Sequence, residues 1–248
     1  SGLETDRLML RTLLAPNPSA MTLDGTRTYL VGRSRVAIID PGPALPAHLE
    51  RIASAVGAAP AVILLTHQHP DHAGGARALA RLLDADIRSR AAGTLADGDT
   101  IPTDEGELRA VHTPGHTPDH VALHWPDASA IFVGDLMMGG LDTALVAPAE
   151  GGELRAYLES LERLDALGAE TLYPAHGPEF TDPSAAFGRY RAHRMERLEQ
   201  VRAALAAGVR DREALVDAVY GDSVPPELRD WTHSTLEAYL DYLGVEIG

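Results

Sequence analysis

The heptapeptide Thr66-His67-Gln68-His69-Pro70-Asp71-His72 constrains this chain more than any other feature. Three imidazoles and one carboxylate fall within residues 67–72. Just before them, Ala61-Val62-Ile63-Leu64-Leu65 has the unbroken apolar character of a buried strand. Just after them, Ala73-Gly74-Gly75 leads into an Ala/Leu/Arg run that reads as a helix. A strand end that opens into a helix is a rigid mount for ligands. His67 and His69, two apart on an extended turn, can aim both rings one way. Asp71 and His72 fall at the helix start and aim elsewhere. That arrangement suits two metal ions side by side rather than one.

Composition narrows the partners. The 248 residues, 45% hydrophobic, suffice for one sizeable core, or for a main domain with a small appendage. The net charge is −15, from 36 acidic and 21 basic residues, and every basic residue is Arg. Such a surface repels nucleic acid and acidic membranes unless Arg is locally clustered. With no cysteine, any metal site must draw on His and carboxylate, and no thiol nucleophile exists. No apolar run approaches the roughly eighteen residues of a membrane span. Ser1-Gly2-Leu3-Glu4 lacks the basic and apolar regions of a signal peptide, so a cytoplasmic protein is expected.

Turn residues divide the chain into short elements. Strands are expected over 8–14, 21–23, 28–31 and 36–39, then a helix over 46–56. The strand at 61–65 is followed by the His-rich loop and a helix over 75–83. Further strands are expected over 87–89, 107–111, 121–124 and 130–133. Residues 152–167 carry Leu154, Leu158, Leu161 and Leu164 on one helical face. A strand over 171–173 ends in Pro174-Ala175-His176-Gly177-Pro178. After Asp182 the texture becomes helical, over 184–207, 211–220 and 226–243, which places a domain boundary there: 1–182 and 183–248. Leu236, Tyr239, Leu240 and Leu243 form an apolar face expected to pack on the main domain.

Three more segments carry metal-competent residues, each in a loop after a strand. They are His112-Thr113-Pro114-Gly115-His116-Thr117, Gly134-Asp135 and Ala175-His176-Gly177. Loops at the ends of sheet strands converge on one edge, so distant residues can meet there. In this order, H-x-H-x-D-H, T-P-G-H-T, G-D and H-G-P resemble the metallo-β-lactamase-fold hydrolase superfamily. The resemblance implies an α+β fold, a four-layer αβ/βα sandwich of two mixed sheets, with a small helical, winged-helix-like C-terminal domain. It implies one metal held by His67, His69 and His116. The other would lie among Asp71, His72 and His176, with Asp135 bridging and Asp71 also orienting the attacking hydroxide. Two Zn²⁺ ions suit these donors, and iron or manganese are alternatives. Asp40, at the end of a strand, and His120 are expected to support the ligands. His48 and His233 are expected at the surface, His124 on a strand, and His193 on a solvated helix face.

Closer similarity is to the β-lactamase-like protein 2 subgroup. It is carried by residues 17–32, by Asp40-Pro41-Gly42-Pro43, by Thr113-Pro114-Gly115-His116-Thr117-Pro118-Asp119-His120 and by 190–197. Arg27 stands where the subgroup has Asn, and Ala175 where it has Gly. The subgroup includes a single-strand endoribonuclease and acyl-carrier thioesterases. From 189 onward eight Arg face eleven Asp/Glu, and aromatics are only 5% of the chain. A nucleic-acid groove needs a basic excess and stacking aromatics, so nucleic acid is an unfavoured partner. The leading expectation is a dinuclear zinc hydrolase of a small ester, thioester or lactone. A metal-dependent ribonuclease and an iron-dependent persulfide dioxygenase are the alternatives. Oligomeric state and the identity of the substrate stay open.

Overall fold

The computed structural model describes residues 9–139, 145–221, 224 and 226–247. Two five-stranded mixed sheets face each other. The first has the order β1(Leu10–Leu14)-β2(Arg27–Val31)-β3(Val36–Ile39)-β4(Ala61–Leu64)-β5(Asp86–Arg88). Its first three strands pair antiparallel and its last three parallel. The second has the order β10(Thr171–Pro174)-β9(Ala130–Gly134)-β8(Val121–Trp125)-β7(Gly106–His112)-β6(Thr100–Thr103). There β10 runs parallel to β9, and the other pairs are antiparallel.

Strand alternation builds the layers. In β3, Ala37 and Ile39 face the second sheet, where they join Tyr29, Leu64, Leu123, Trp125 and Phe132. Val36 and Ile38 face outward, onto Leu49 and Ile52 of α1(Pro46–Val56) and Leu79 of α3(Ala76–Leu83). On the far side, Ile131, Val133 and Leu172 pack on Tyr157, Leu161 and Leu164 of α4(Leu154–Asp165). These are the helix–sheet–sheet–helix layers that the family resemblance implies.

The C-terminal residues form α5(Pro183–Ala206), α6(Arg212–Tyr220) and α7(Arg229–Leu243). Asp182 and Asp211 cap the first two by accepting from Ala185 N and Ala214 N. Leu236, Tyr239 and Leu240 are buried in the same apolar cluster as α4, together with Tyr190 and Leu198 of α5. Their apolar face therefore packs on the main body, as expected. Among the described residues no helix is long and apolar enough to cross a membrane.

Two local expectations fail. Residues 21–23 form a turn rather than a strand, closed by a single bridge between Ser19 and Leu23. Ser19 Oγ accepts from Met21 N and Thr22 N, and Asn17 Oδ1 accepts from Thr26 N. Side-chain oxygens thus take the backbone donors that a strand partner would need. Conversely, Pro102 masks β6, an edge strand, where a missing N–H costs little.

The topology creates one functional edge. Strands β3, β4, β9 and β10 end there, leading into Asp40, Thr66, Asp135 and Ala175. Val121 N donates to Thr66 O at 2.8 Å, tying the two sheets together at that edge.

Candidate metal centre

Each motif delivers its donors through a constrained backbone. His67 leaves β4 in an extended turn, and Pro70 opens α2(Pro70–Ala73), which carries Asp71 and His72. Gly134 has φ +51°, and a Cβ there would lie 2.6 Å from His120 Nε2. Only glycine lets this strand end turn Asp135 inward. Gly177 has φ +77°, and its missing side chain leaves room for the Gly139 carbonyl, which a Cβ would meet at 1.9 Å. The loops carrying Asp135 and His176 thereby pack backbone to backbone, with Gly139 N donating to His176 O at 2.8 Å.

Seven donors converge in two overlapping groups. One is His67, His69, His116 and Asp135, and the other is Asp71, His72, Asp135 and His176. His67 Nε2 and His116 Nε2 lie 3.0 Å and 3.3 Å from His69 Nδ1. His72 Nε2 is 3.4 Å from both Asp71 Oδ2 and Asp135 Oδ1. His176 Nε2 is 3.1 Å and 3.4 Å from the same two oxygens. Zinc bonds of about 2.0–2.2 Å at tetrahedral angles put neighbouring ligand atoms roughly 3.3–3.6 Å apart. The observed separations cluster around those edges. Moreover, His72 Nε2 and His176 Nε2 are buried and make no hydrogen bond of good geometry, although each faces Asp71 and Asp135, the arrangement expected where a cation would sit between them. The residues present therefore fit a pair of divalent ions.

Outer hydrogen bonds set the tautomers. Asp40 Oδ2 accepts from His72 Nδ1 at 2.8 Å and from the Thr66 hydroxyl at 2.7 Å, while Asp40 Oδ1 accepts from Thr66 N. Having donated to Asp40, the Thr66 hydroxyl accepts from His67 Nδ1 at 3.0 Å. One buried carboxylate thus turns a lone pair inward on one ring of each group. His176 Nδ1 donates to Gly25 O at 3.2 Å with the same effect. His120 Nε2 accepts from Asp135 N at 3.3 Å, so its Nδ1–H donates to Thr113 Oγ1 at 2.8 Å. His120 braces the backbone of Asp135 and does not join either donor group.

Burial and charge divide the imidazoles. Burial pushes His67 far below the usual histidine range, helped by repulsion from His72 and His116, and burial also lowers His69. His120 is held neutral by burial too, as its acceptor role demands. For His72 the burial penalty is outweighed by Asp135 and Asp40, and for His176 by Asp135 and Asp71, so both are raised. Burial opposes ionisation of Asp71 and Asp135, yet the facing imidazoles hold both carboxyls well below their usual range. Without a cation, the surrounding carboxylates Asp40, Asp71 and Asp135 favour proton uptake by His72 and His176.

The remaining histidines separate clearly. His48, expected at the surface, is buried: α1 carries it on the same face as Leu49 and Ile52. Its Nε2 lies 3.2 Å from Thr28 Oγ1, which donates to Asp40 O at 2.8 Å. His112 bonds Pro118 O and stays outside both groups. His124 lies on β8. His193 is half-buried on α5. His233 is half-buried and pairs with Glu213 at 2.9 Å. Thr66 and Thr113 are the contributors that the sequence reading left without a role. Each directly precedes or frames a motif histidine, which is the available signal. Ala175 is buried, with its N donating to Gly134 O and its O accepting from Arg27 N, and its methyl displaces no donor.

Comparisons with known proteins agree with this edge. Residues 21–96 and 90–176 match the model of the metallo-beta-lactamase superfamily. The chain is 37% identical over 204 residues to an atrochrysone carboxyl ACP thioesterase of Aspergillus chevalieri, covering 78% of this chain. It spans 64% of that relative's length, less than two thirds. It is 36% identical over 214 residues to a beta-lactamase-like protein 2 homolog of Drosophila melanogaster, covering 76% of this chain and 71% of that one. Among solved structures, a metallo-beta-lactamase family protein of Thermus thermophilus superposes with TM-score 0.80 at 23% identity, over 95% of this chain and 93% of the other. With that family model matched from residue 21 to residue 176 and both curated relatives above a third identical, the chain belongs to the metallo-beta-lactamase superfamily.

Proposed function

We propose that this chain is a dinuclear zinc hydrolase that cleaves a small ester, thioester or lactone. The observation that carries the reading is the presence of Asp135 in both donor groups. His67, His69 and His116 would hold one ion, Asp71, His72 and His176 the other, with Asp135 between them. Divalent ions bound there would supply Lewis acidity and would lower the pKa of a coordinated water toward neutrality.

The chain's own residues do the rest. Asp71 is partly exposed, unlike Asp135, so its carboxylate would be able both to hold a cation and to accept a hydrogen bond from water on the open side. Asp40 keeps His67 and His72 in the tautomers that leave Nε2 free to coordinate. His120, kept neutral, anchors the Asp135 backbone. We assign residues 1–182 to the catalytic domain and 183–248 to a winged-helix-like cap. The thioesterase name of one relative favours a thioester among the three substrate types.

Side-by-side assays of an acyl thioester and of single-stranded RNA test the function. Thioester turnover by zinc-loaded protein, lost on chelation and in Asp71→Ala, is expected. RNA cleavage lost in Asp71→Ala, with no thioester turnover, would replace the hydrolase reading by the ribonuclease one.

Protonation gives a second expected result. His72 and His176, raised in the metal-free fold, contribute stability fully present below pH 6.5 and lost as pH rises through their raised values. His67, His69, His120 and His48 are depressed, so the fold loses stability as pH falls below 6.5, where the unfolded chain takes up their protons. Asp71 and Asp135 add stability above pH 3.8 that is lost in stronger acid. The metal-free protein should therefore show its highest Tm near pH 6.5. Zinc displaces the protons on His72 and His176, so the loaded protein should show its maximum at higher pH. Melting curves across pH, with and without zinc, check this. Coincident maxima would show that metal does not displace those protons.

A further inference from the structure

The donor cluster is closed on most sides: His67, His72, His116, Asp135 and His176 are buried, and only His69 and Asp71 are partly open. A substrate must therefore arrive past these two residues. His69 turns Nδ1 toward His67 and His116, so the opposite edge of its ring faces away from the cluster. Against that ring stands Trp231, with centroids 6.1 Å apart and planes at 70°.

Trp231 reaches this place on a rigid support. It lies in the first turn of α7, one turn before Thr235. Thr235 and Leu236 are buried, and the Thr235 hydroxyl accepts from Leu145 N at 3.1 Å. The inward stripe of α7 thus runs out of the core and ends, at Trp231, beside the donor groups. Yet among the described residues the indole belongs to none of the three apolar clusters, and it is only half-buried. A large aromatic side chain held by a fixed helix, outside the core and against the open side of a donor cluster, is placed to be touched by a ligand.

We propose that Trp231 is the wall of an acyl subsite that receives a planar aromatic acyl group. The inference rests on the hydrolase reading for what is cleaved, and on geometry for what is bound. Two rings near a right angle make a corner. A flat aromatic group can stack offset on one ring and present its edge to the other, whereas a short alkyl group gains only buried area. The chain's net charge of −15 disfavours the polyanionic strand that a stacking tryptophan also suits.

Fluorescence tests binding without turnover. The chain has two tryptophans, and Trp125 is buried between the sheets with its indole N–H bonded to Glu105 O. The neutral thioester S-(4-nitrobenzoyl)-N-acetylcysteamine, added to the metal-free 248-residue chain, should quench the emission of Trp231. The acetyl analogue should not, and Trp231→Phe should abolish the quench. With zinc-loaded protein, Trp231→Ala should lower the nitrobenzoyl-to-acetyl ratio of kcat/KM about tenfold, mainly through KM, and Trp231→Phe should retain most of the preference. A quench that survives in Trp231→Phe, an unchanged ratio in Trp231→Ala, or quenching by single-stranded poly(U) in place of the thioester would each overturn the proposal. If neither thioester is hydrolysed but the Trp231-dependent quench remains, the subsite stands and the thioester reading of the hydrolase falls.

Discussion

Asp135→Ala is expected to lower kcat/KM of the zinc-loaded protein by at least about 10³-fold, the equivalent of roughly 4 kcal/mol of transition-state stabilisation. The size follows from position. Asp135 belongs to both donor groups, and its oxygens lie 3.4 Å from His72 Nε2 and His176 Nε2 and 3.9 Å from His116 Nε2. Removing it takes one donor from each group at once. It also removes the carboxylate that faces both His72 and His176, so less negative charge is left to offset that of a bound cation. Metal content by mass spectrometry should fall together with activity. A variant that keeps two equivalents of zinc at undiminished affinity would show that Asp135 is not shared.

The second large effect is expected at Asp40→Asn. Asp40 has φ +49°, a left-handed conformation that Asn tolerates well, so the backbone should hold. The amide oxygen can still accept from Thr66 N. Its NH₂ group then faces the Thr66 hydroxyl and His72 Nδ1, where the carboxylate accepted from both. His72 Nδ1 must become an acceptor, which leaves the proton of the neutral ring on Nε2, the nitrogen that points at Asp71 and Asp135. The ring satisfies its neighbours and blocks a cation. Metal affinity should fall 10- to 100-fold, chiefly for the group containing His72. Chelator competition measures the affinity, and nitrogen NMR of the imidazoles reads the tautomer. Unchanged affinity for both equivalents of metal would remove Asp40 from any role in orienting the ligands.

Much of the scaffold is written in local pattern. The apolar run 61–65 folds as β4 because burial acts on neighbouring residues, whereas the short helix α2 lies inside what reads as the His-rich loop. The helices after Asp182 follow from their caps and apolar spacing. Where polar side chains capture backbone donors, as around Ser19 and Asn17, the same reading fails at 21–23. His48 fails for another reason. One polar residue on an otherwise apolar helix face gives no sign of whether a partner such as Thr28 waits beneath it.

The sequence by itself determined which chemical groups are available and that each sits in a loop after a strand. Donor chemistry and turn propensity belong to residues adjacent in the chain. Only the tertiary structure decided how those groups meet. The 3.0–3.4 Å spacings within each group depend on the register of β9 against β10 and on the Val121–Thr66 bond that joins the sheets. The double hold of Asp40 on His67 and His72 depends on the parallel alignment of β3 with β4. Trp231 stands beside His69 because α7 packs its apolar stripe on the core that α4 shares. Each is a contact between residues far apart in sequence, set by strand register and packing, and local sequence pattern carries neither.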